Sequence, residues 1–301
     1  MGKAAREASR HVAAASTEAK SAALRAIADE VDQNRKAIKS ANAIDMANAE
    51  RNGIDQPLID RLNLADKGID RMIDGIYQVD GLKDPVGEVT NLGYQPNGLQ
   101  VGKMRVPLGV IAMIYESRPN VTVDAAALSV KSGNACLLRG GSEAFESNQA
   151  IGPCVSRALK RAGLPQSTVQ LFPTTDRAAV GELLKLNDYV DVIVPRGGKG
   201  LIERIMRDSI IPVIKHLDGI CHVYIDEAAD VQMAHDIAFN SKVEKYAVCN
   251  ALETLLVHQA VAGDVLRELA PRYQDEGVAL RGCQSSRQLV GTMTAATEDD
   301  W

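Results

Sequence analysis

The sequence predicts an α/β protein: a parallel sheet covered by helices on both faces, followed by a second α/β segment. Two features point to this. From residue 107 onward, short runs almost free of polar residues alternate with amphipathic stretches long enough for helices. A strand buried on both faces does not alternate polar and apolar residues as a half-solvated one does, so unbroken apolar strands separated by helices specify parallel pairing. In addition, two strand-to-helix turns carry glycine pairs, Gly140-Gly141 and Gly197-Gly198. Those turns fall at the carboxyl ends of strands, where open parallel sheets hold ligands.

Residues 3–50 are rich in Ala, Glu, Lys and Arg with almost no breakers and read as helix. Residues 58–80 are helical by period, with Ile69, Met72, Ile73 and Ile76 on one face. Pro85, Gly87, Gly93, Pro96 and Gly98 then punctuate extended segments, an antiparallel excursion near 86–106 suited to subunit contact. Leu108–Tyr115 is the first strand of the parallel sheet. Asn120 is expected to cap a helix that runs to Lys131 and stops at Ser132-Gly133. Ala135–Arg139 is the next strand, and Ser142–Ala162 the next helix, with Ser142 as its cap and Gly163-Leu164-Pro165 as its stop. Val169–Phe172, a helix through Leu186, Val190–Val194 and a helix from Lys199 continue the alternation. Val213–Leu217, His222–Ile225 and Leu255–His258 are further short strands. The expected division is a first domain over 1–222 and a second over 223–301.

A chain of 301 residues with 46% hydrophobic and 24% charged residues is an ordinary globular composition. Its net charge of -5 argues against a nucleic-acid surface or an anionic membrane as partner. No apolar run approaches a membrane span and the N-terminus lacks a secretory pattern. The five cysteines (136, 154, 221, 249 and 283) are scattered without CxxC spacing, and the histidines are dispersed. That pattern suits free thiols in a reducing cytoplasm rather than a disulfide framework or a metal site.

Cys249 lies in the run Tyr246–Thr254, just ahead of an apolar strand. A thiolate so placed is a strong nucleophile, and Lys242 and Lys245 upstream supply positive potential. The alternative is a small buried hydrophobe. The GxGxxG signature of ordinary dinucleotide sites is absent. The loop Pro195–Gly200 is the nearest phosphate cradle, offering backbone amides with the cations Arg196 and Lys199 at a helix start. The alternative is a solvated basic turn. Arg139-Gly140-Gly141-Ser142-Glu143 repeats the arrangement one βα unit earlier.

The segments Val106–Ile111, Tyr115-Glu116-Ser117-Arg118-Pro119-Asn120-Val121, Lys131–Asn134, Leu138–Glu143, Val194–Leu201, Lys215–His222 and Val248–Asn250 follow one another in a recognisable order. Together they resemble the γ-glutamyl phosphate reductase family of the aldehyde dehydrogenase superfamily along essentially the whole chain. The resemblance implies an aldehyde-dehydrogenase-like fold, with a parallel-sheet cofactor domain followed by an α/β catalytic domain. It implies NADPH-dependent reduction of L-glutamyl 5-phosphate to L-glutamate 5-semialdehyde and phosphate, in cytoplasmic proline biosynthesis. Cys249 is then the nucleophile that forms a thioester, and Asn250 assists the oxyanion. His216 stands where hydrolytic aldehyde dehydrogenases carry a water-activating Glu; it is an acid/base candidate, with a structural His as the alternative.

The same resemblance assigns the adenine ribose of NADP(H) to the turn Arg139, Gly140, Gly141, Ser142 and Glu143, and NADP(H) is expected to lie between that turn and the loop cradle of Arg196, Gly197, Gly198 and Lys199. Arg139 beside Ser142 suits a 2′-phosphate, while Glu143 suits a free 2′-hydroxyl. Glu116, Ser117, Arg118 and Asn120 are the substrate-binding candidates; Arg118 and Arg196 are candidate anion ligands, with a surface Arg paired to a nearby Asp or Glu as the alternative. No metal is implied. Glutamate 5-kinase is the implied supplier of substrate, and the full-length protein is expected to be a homo-oligomer. The chain departs from the family in having Val243-Glu244-Lys245 for Thr-Gln-Arg, and it ends at Glu298-Asp299-Asp300-Trp301 where relatives continue. A C-terminally truncated chain with an incomplete catalytic domain is therefore expected. A cofactor-binding fragment without turnover, or an aldehyde dehydrogenase for another semialdehyde, are the alternatives.

Overall fold

The computed structural model describes residues 1–215, 219–246 and 248–300. The chain divides into two compact units, Met1–Lys215 and His216–Trp301. The division expected after residue 222 would cut a strand, Cys221–Ile225, whose pairing partner Leu252–Val257 lies in the second unit.

The first unit opens with three helices, α1 (Gly2–Ala13), α2 (Thr17–Gln33) and α3 (Arg35–Arg51), where composition suggested one continuous helical stretch. The breaks are local side-chain chemistry. Ser16 accepts a hydrogen bond from the Ala19 amide and starts α2. The Asn34 side chain donates to the Glu30 carbonyl at 2.7 Å, ending α2 where α3 begins. The stretch 58–80 is likewise two helices, α4 (Gln56–Leu62) and α5 (Asp66–Gly81), and α5 buries Ile69, Met72 and Ile76 as its period requires. Strands β1 (Val89–Tyr94) and β2 (Gln100–Met104) form the expected antiparallel excursion, every residue of both exposed.

The parallel sheet has four strands, β3 (Val110–Tyr115), β4 (Ala135–Gly140), β5 (Val169–Leu171) and β6 (Val192–Arg196), in the order β5-β4-β3-β6. Between and after them run α6 (Asn120–Lys131), α7 (Phe145–Arg161), α8 (Arg177–Leu183) and α9 (Lys199–Asp208). Tyr115, Cys136 and Leu138 pack into one apolar cluster with Val123 of α6 and Ile151 of α7. Ala112, Ile114 and Leu137 pack into another with Leu183 of α8 and Ile205 of α9. Successive strand residues thus enter different cores, which is why these strands show no polar alternation. At the start of the sheet, the Asp191 carboxylate accepts the Val110 amide at 2.7 Å and the Arg6 guanidinium at 2.8 and 3.0 Å, fastening α1 to β3. Gly109 makes that possible: its φ is +119°, and a Cβ there would collide with the same carboxylate.

Several local expectations are corrected. Pro119 is the N-cap of α6, while Asn120 is its first residue and donates to the Asp124 carboxylate at 2.9 Å. Ser142 caps nothing; it opens a single 3-10 turn, Ser142–Ala144, and α7 begins at Phe145. The amides of Glu146 and Ser147 are instead taken by the buried carboxylate of Asp45 on α3, at 3.1 and 2.8 Å, and the Ser147 hydroxyl donates to it at 2.6 Å. The helix expected through Leu186 ends at Leu183, and β6 starts at Val192 rather than Val190. Val213 makes one parallel bridge to Ile193 in place of a strand, and Leu217 lies outside the described residues.

In the second unit β7 (Cys221–Ile225) pairs in parallel with β8 (Leu252–Val257). Strand β8 starts three residues before the expected Leu255, and His258 follows its end. Helix α10 (Val231–Val243) is capped by Asp230, which accepts the Met233 amide at 2.8 Å. It packs on α11 (Ala262–Asp275) through Ala238, Leu269 and Tyr273, and the Tyr273 hydroxyl donates to the Ala238 carbonyl at 2.7 Å. The short strands β9 (Arg281–Gly282) and β10 (Thr294–Ala295) flank α12 (Gln284–Leu289). Among the described residues no helix is long and apolar enough to cross a membrane.

Asp45→Ala leaves two helix-terminal amides and a buried hydroxyl without their acceptor. It should cost about 2–3 kcal/mol of stability, read as a lower urea midpoint for the first unit. A change below about 0.5 kcal/mol would show that water replaces the carboxylate.

Candidate active site

In the first unit β3, β4 and β6 end level with one another, because Tyr115 lies opposite both Gly140 and Arg196. The turns that begin at Glu116, Gly141 and Gly197 therefore leave the sheet at one edge, and the sequence-predicted cofactor and substrate residues of this unit gather there. The Glu116 amide donates to the Arg196 carbonyl at 3.2 Å, and its carboxylate accepts the Gly198 amide at 2.9 Å. Gly198 is the N-cap of α9, so this carboxylate sits at the positive end of a helix. Gly197 leaves room for it: a Cβ there would lie 2.7 Å from the Glu116 carboxyl carbon. One amide of the expected phosphate cradle is thus held by the chain's own anion. Ser117 is buried with φ at +45°, a conformation that side chains rarely hold without a surrounding structure that imposes it. Arg118 beside it is half-buried, and Arg196 and Lys199 are exposed.

On the turn after β4, Arg139 is 8% exposed, and its guanidinium donates to the Thr175 carbonyl at 2.8 Å. Burial lowers its pKa from the ordinary arginine value, and Nε is buried without a hydrogen-bond partner. Arg139 thus ties the β5–α8 connection to the sheet. The Oε2 atom of Glu143 is likewise buried without a partner. A buried acceptor lacking a donor, on the turn after a parallel strand, fits a sugar hydroxyl of a dinucleotide. Ser142, exposed, lies 3.5 Å from the other Glu143 oxygen. Behind Gly140, the Tyr115 hydroxyl meets Thr122 at 2.6 Å and Thr122 donates to Asn148 at 2.8 Å. Sequence reasoning missed this buried polar chain, since only the crossing of β3, α6 and α7 brings its members together.

In the second unit the Ala251 amide donates to the Val248 carbonyl at 3.2 Å, closing a turn with Cys249 and Asn250 at its exposed centre. Strand β8 begins immediately afterwards. The thiol is thus presented at the mouth of a strand, as its position in the sequence suggested. Cys221, the first residue of β7, donates its S–H to the Cys249 carbonyl at 3.4 Å. Gly219 is required beside them, since a Cβ there would run into that carbonyl oxygen. His216 lies outside the described residues.

The other thiols sort by surroundings. Cys136 is fully buried, and burial pushes its pKa up to about 12; burial also raises that of Cys154. Cys283 is exposed, and the Ser286 hydroxyl, 3.3 Å away, with the Ser286 amide holds its pKa below the usual thiol value. It lines a cavity of about 720 Å³ with Lys242, Leu269 and Tyr273. Sequence reading passed over Cys283, although a Ser three residues beyond a helix-capping Cys is a visible local signal.

The sequence matches the model of the aldehyde dehydrogenase family over residues 1–281. Among solved structures it is similar to the γ-glutamyl phosphate reductase of Thermotoga maritima, with 43% identity and a TM-score of 0.91, over 100% of this chain and 72% of that one. It is similar to the γ-glutamyl phosphate reductase of Saccharomyces cerevisiae at 34% identity and a TM-score of 0.67, over 96% of this chain and 73% of that one. An engineered glycolyl-CoA reductase with bound NADP⁺ shares the fold, at 17% identity and a TM-score of 0.65, over 95% of this chain and 60% of that one.

Brief alkylation of the folded chain near neutral pH should label Cys249 and Cys283 and spare Cys136 and Cys154, as read by peptide mass mapping. Labelling of Cys136 at the rate of Cys249 would contradict the burial described.

Proposed function

The chain belongs to the aldehyde dehydrogenase family and, within it, to the γ-glutamyl phosphate reductases; on that premise we propose that it reduces L-glutamyl 5-phosphate to L-glutamate 5-semialdehyde and phosphate with NADPH, in proline biosynthesis. The observation that carries this reading is the exposed Cys249 on a tight turn at the start of a parallel strand. Members of the family transfer hydride with nicotinamide cofactors, and NADPH, when bound, would supply the hydride here.

The Cys249 thiolate attacks the acyl carbon and phosphate leaves, so the acyl group is held as a thioester until it is reduced. The Cys249 amide and the Asn250 side chain are the proposed donors to the oxyanion that forms at each carbonyl addition. His216 is the proposed acid/base. Collapse of the reduced adduct breaks the C–S bond and returns the thiolate. Arg118, with Ser117 and Asn120, is proposed to receive the substrate's anionic and polar groups; its half-buried guanidinium beside the strained Ser117 supports this.

For the dinucleotide, Glu143 is the proposed acceptor for a ribose hydroxyl, and Gly140 and Gly141 keep the turn after β4 close to the sheet. Arg139 orders the neighbouring connection and adds positive potential toward a 2′-phosphate, with Ser142 beside it. Arg196, Gly197, Gly198 and Lys199 are proposed to meet the phosphates, once Glu116 yields the Gly198 amide. The exposed apolar residues of the β1–β2 excursion, Leu92, Tyr94, Leu99 and Met104, support self-association of the protein through that hairpin. Glutamate 5-kinase is the proposed supplier of the acyl phosphate.

Cys249→Ala should abolish phosphate- and NADP⁺-dependent oxidation of glutamate semialdehyde, with a fall of about three orders of magnitude or more. Substantial remaining turnover would remove the thioester route. Glu143→Gln removes a negative charge beside the proposed 2′ position. It should weaken NADH and spare or tighten NADPH, changing their relative affinity by about 1–2 kcal/mol in equilibrium titrations. Equal effects on both cofactors would place Glu143 away from the 2′ group.

A further inference from the structure

Cys221 has no part in the chemistry proposed above, yet its side chain touches the turn carrying Cys249. Its sulfur lies 3.4 Å from the Cys249 carbonyl oxygen. That oxygen is separated from the Cys249 sulfur only by the residue's own backbone carbon, Cα and Cβ, so rotation about the Cys249 side chain carries one sulfur toward the other. A disulfide needs Cα atoms about 4.4–6.8 Å apart and Cβ atoms about 3.5–4.5 Å apart. Three features allow such an approach. Cys221 starts β7 opposite Leu252, and the turn closed by Val248 and Ala251 folds Cys249 back toward that strand start. The register shifts between Cys221 and His222, which loosens the ladder at this end. Gly219 contributes no side chain, and an added Cβ would stand 3.9 Å from the Cys221 sulfur as well as against the Cys249 carbonyl.

Both thiols are within reach of a small oxidant, since Cys249 is exposed and Cys221 partly so. Cys136 and Cys154 are buried, and Cys283 lies against the Ser286 hydroxyl. We propose that Cys221 is a resolving thiol for Cys249, so that attack by a hydroperoxide ends in a reversible Cys221–Cys249 disulfide and not in an irreversibly oxidised Cys249.

The chemistry balances. The Cys249 thiolate attacks the peroxide; the O–O bond breaks, the sulfur becomes a sulfenic acid, and the peroxide leaves as an alcohol or water after taking a proton. Cys221 then attacks that sulfur; the S–S bond forms, the S–O bond breaks, and hydroxide leaves as water with the proton from Cys221. The peroxide gains two electrons and each thiol loses one. The alternative is a Cys221 that only steadies the turn by its hydrogen bond. The proposal requires a reactive Cys249, whichever group carries the acyl transfer.

Trypsin separates the two cysteines, since cleavage after Lys215, Lys242, Lys245 and Arg267 yields peptides 216–242 and 246–267. The full chain would be treated with hydrogen peroxide, blocked with an alkylating agent and digested without reductant. These two peptides should appear joined within a monomer, with the loss of two hydrogens, and dithiothreitol should release them. In Cys221→Ser the same dose should raise sulfinic acid at Cys249 by about tenfold. Equal sulfinic acid in both chains would overturn the proposal, as would linkage of Cys249 to Cys283 or to a second molecule. The wild-type peptide map holds the decisive link, so a Cys221→Ser chain that failed to fold would leave the test standing. A link formed in a chain without turnover would refute the reductase reading and leave this one intact.

Discussion

Everything at the first unit's candidate site depends on the burial of one four-stranded sheet between two apolar clusters. Because Ala112 and Ile114 enter one core while Tyr115 and Leu138 enter the other, a one-residue slip of any strand would exchange its whole apolar set between differently shaped cores. The register is held for that reason, and it makes β3, β4 and β6 end together. Three turns of unrelated sequence then share an edge. Cofactor and substrate candidates that are up to about eighty residues apart in the chain become neighbours without any attraction among themselves, as the 82-residue separation of Glu116 and Gly198 illustrates.

Carboxylates then secure the ends of the elements. Asp191 binds the first amide of β3 and a guanidinium from α1, Asp45 binds the first turn of α7, and Glu116 binds the N-cap amide of α9. Each meets backbone donors that their own element cannot satisfy, and each comes from a distant part of the chain. At Glu116 the same physics has a functional edge. The contact that orders the α9 turn also takes an amide that an incoming phosphate would use, so order in the ligand-free turn and affinity for an anion oppose one another.

In the second unit the thiols follow a different logic. Burial makes Cys136 and Cys154 of the first unit packing groups, whereas the turn that exposes Cys249 is closed by the Ala251 amide on the Val248 carbonyl and touched by the Cys221 thiol. An exposed thiol is open to oxidants, and among the described residues another sulfur, that of Cys221, touches its turn.

From residue 107 to the helix that starts at Lys199, the order of strands and helices was determined by the sequence alone, because doubly buried strands must be apolar throughout and the helices between them must be amphipathic. The sequence also marked the glycine turns and Cys249, since these depend on residue type and on position relative to a strand. The N-terminal helices were legible as helix, but their breaks rested on Ser16 and Asn34, single side chains whose competition with the backbone composition does not reveal. Only the tertiary structure decided the cap of α7, the attachment of Arg139 to Thr175, the capture of Gly198 by Glu116 and the meeting of Cys221 with Cys249. Each of these joins groups from different elements, and such contacts form only after the packed cores have set the strand register and the crossings of the helices.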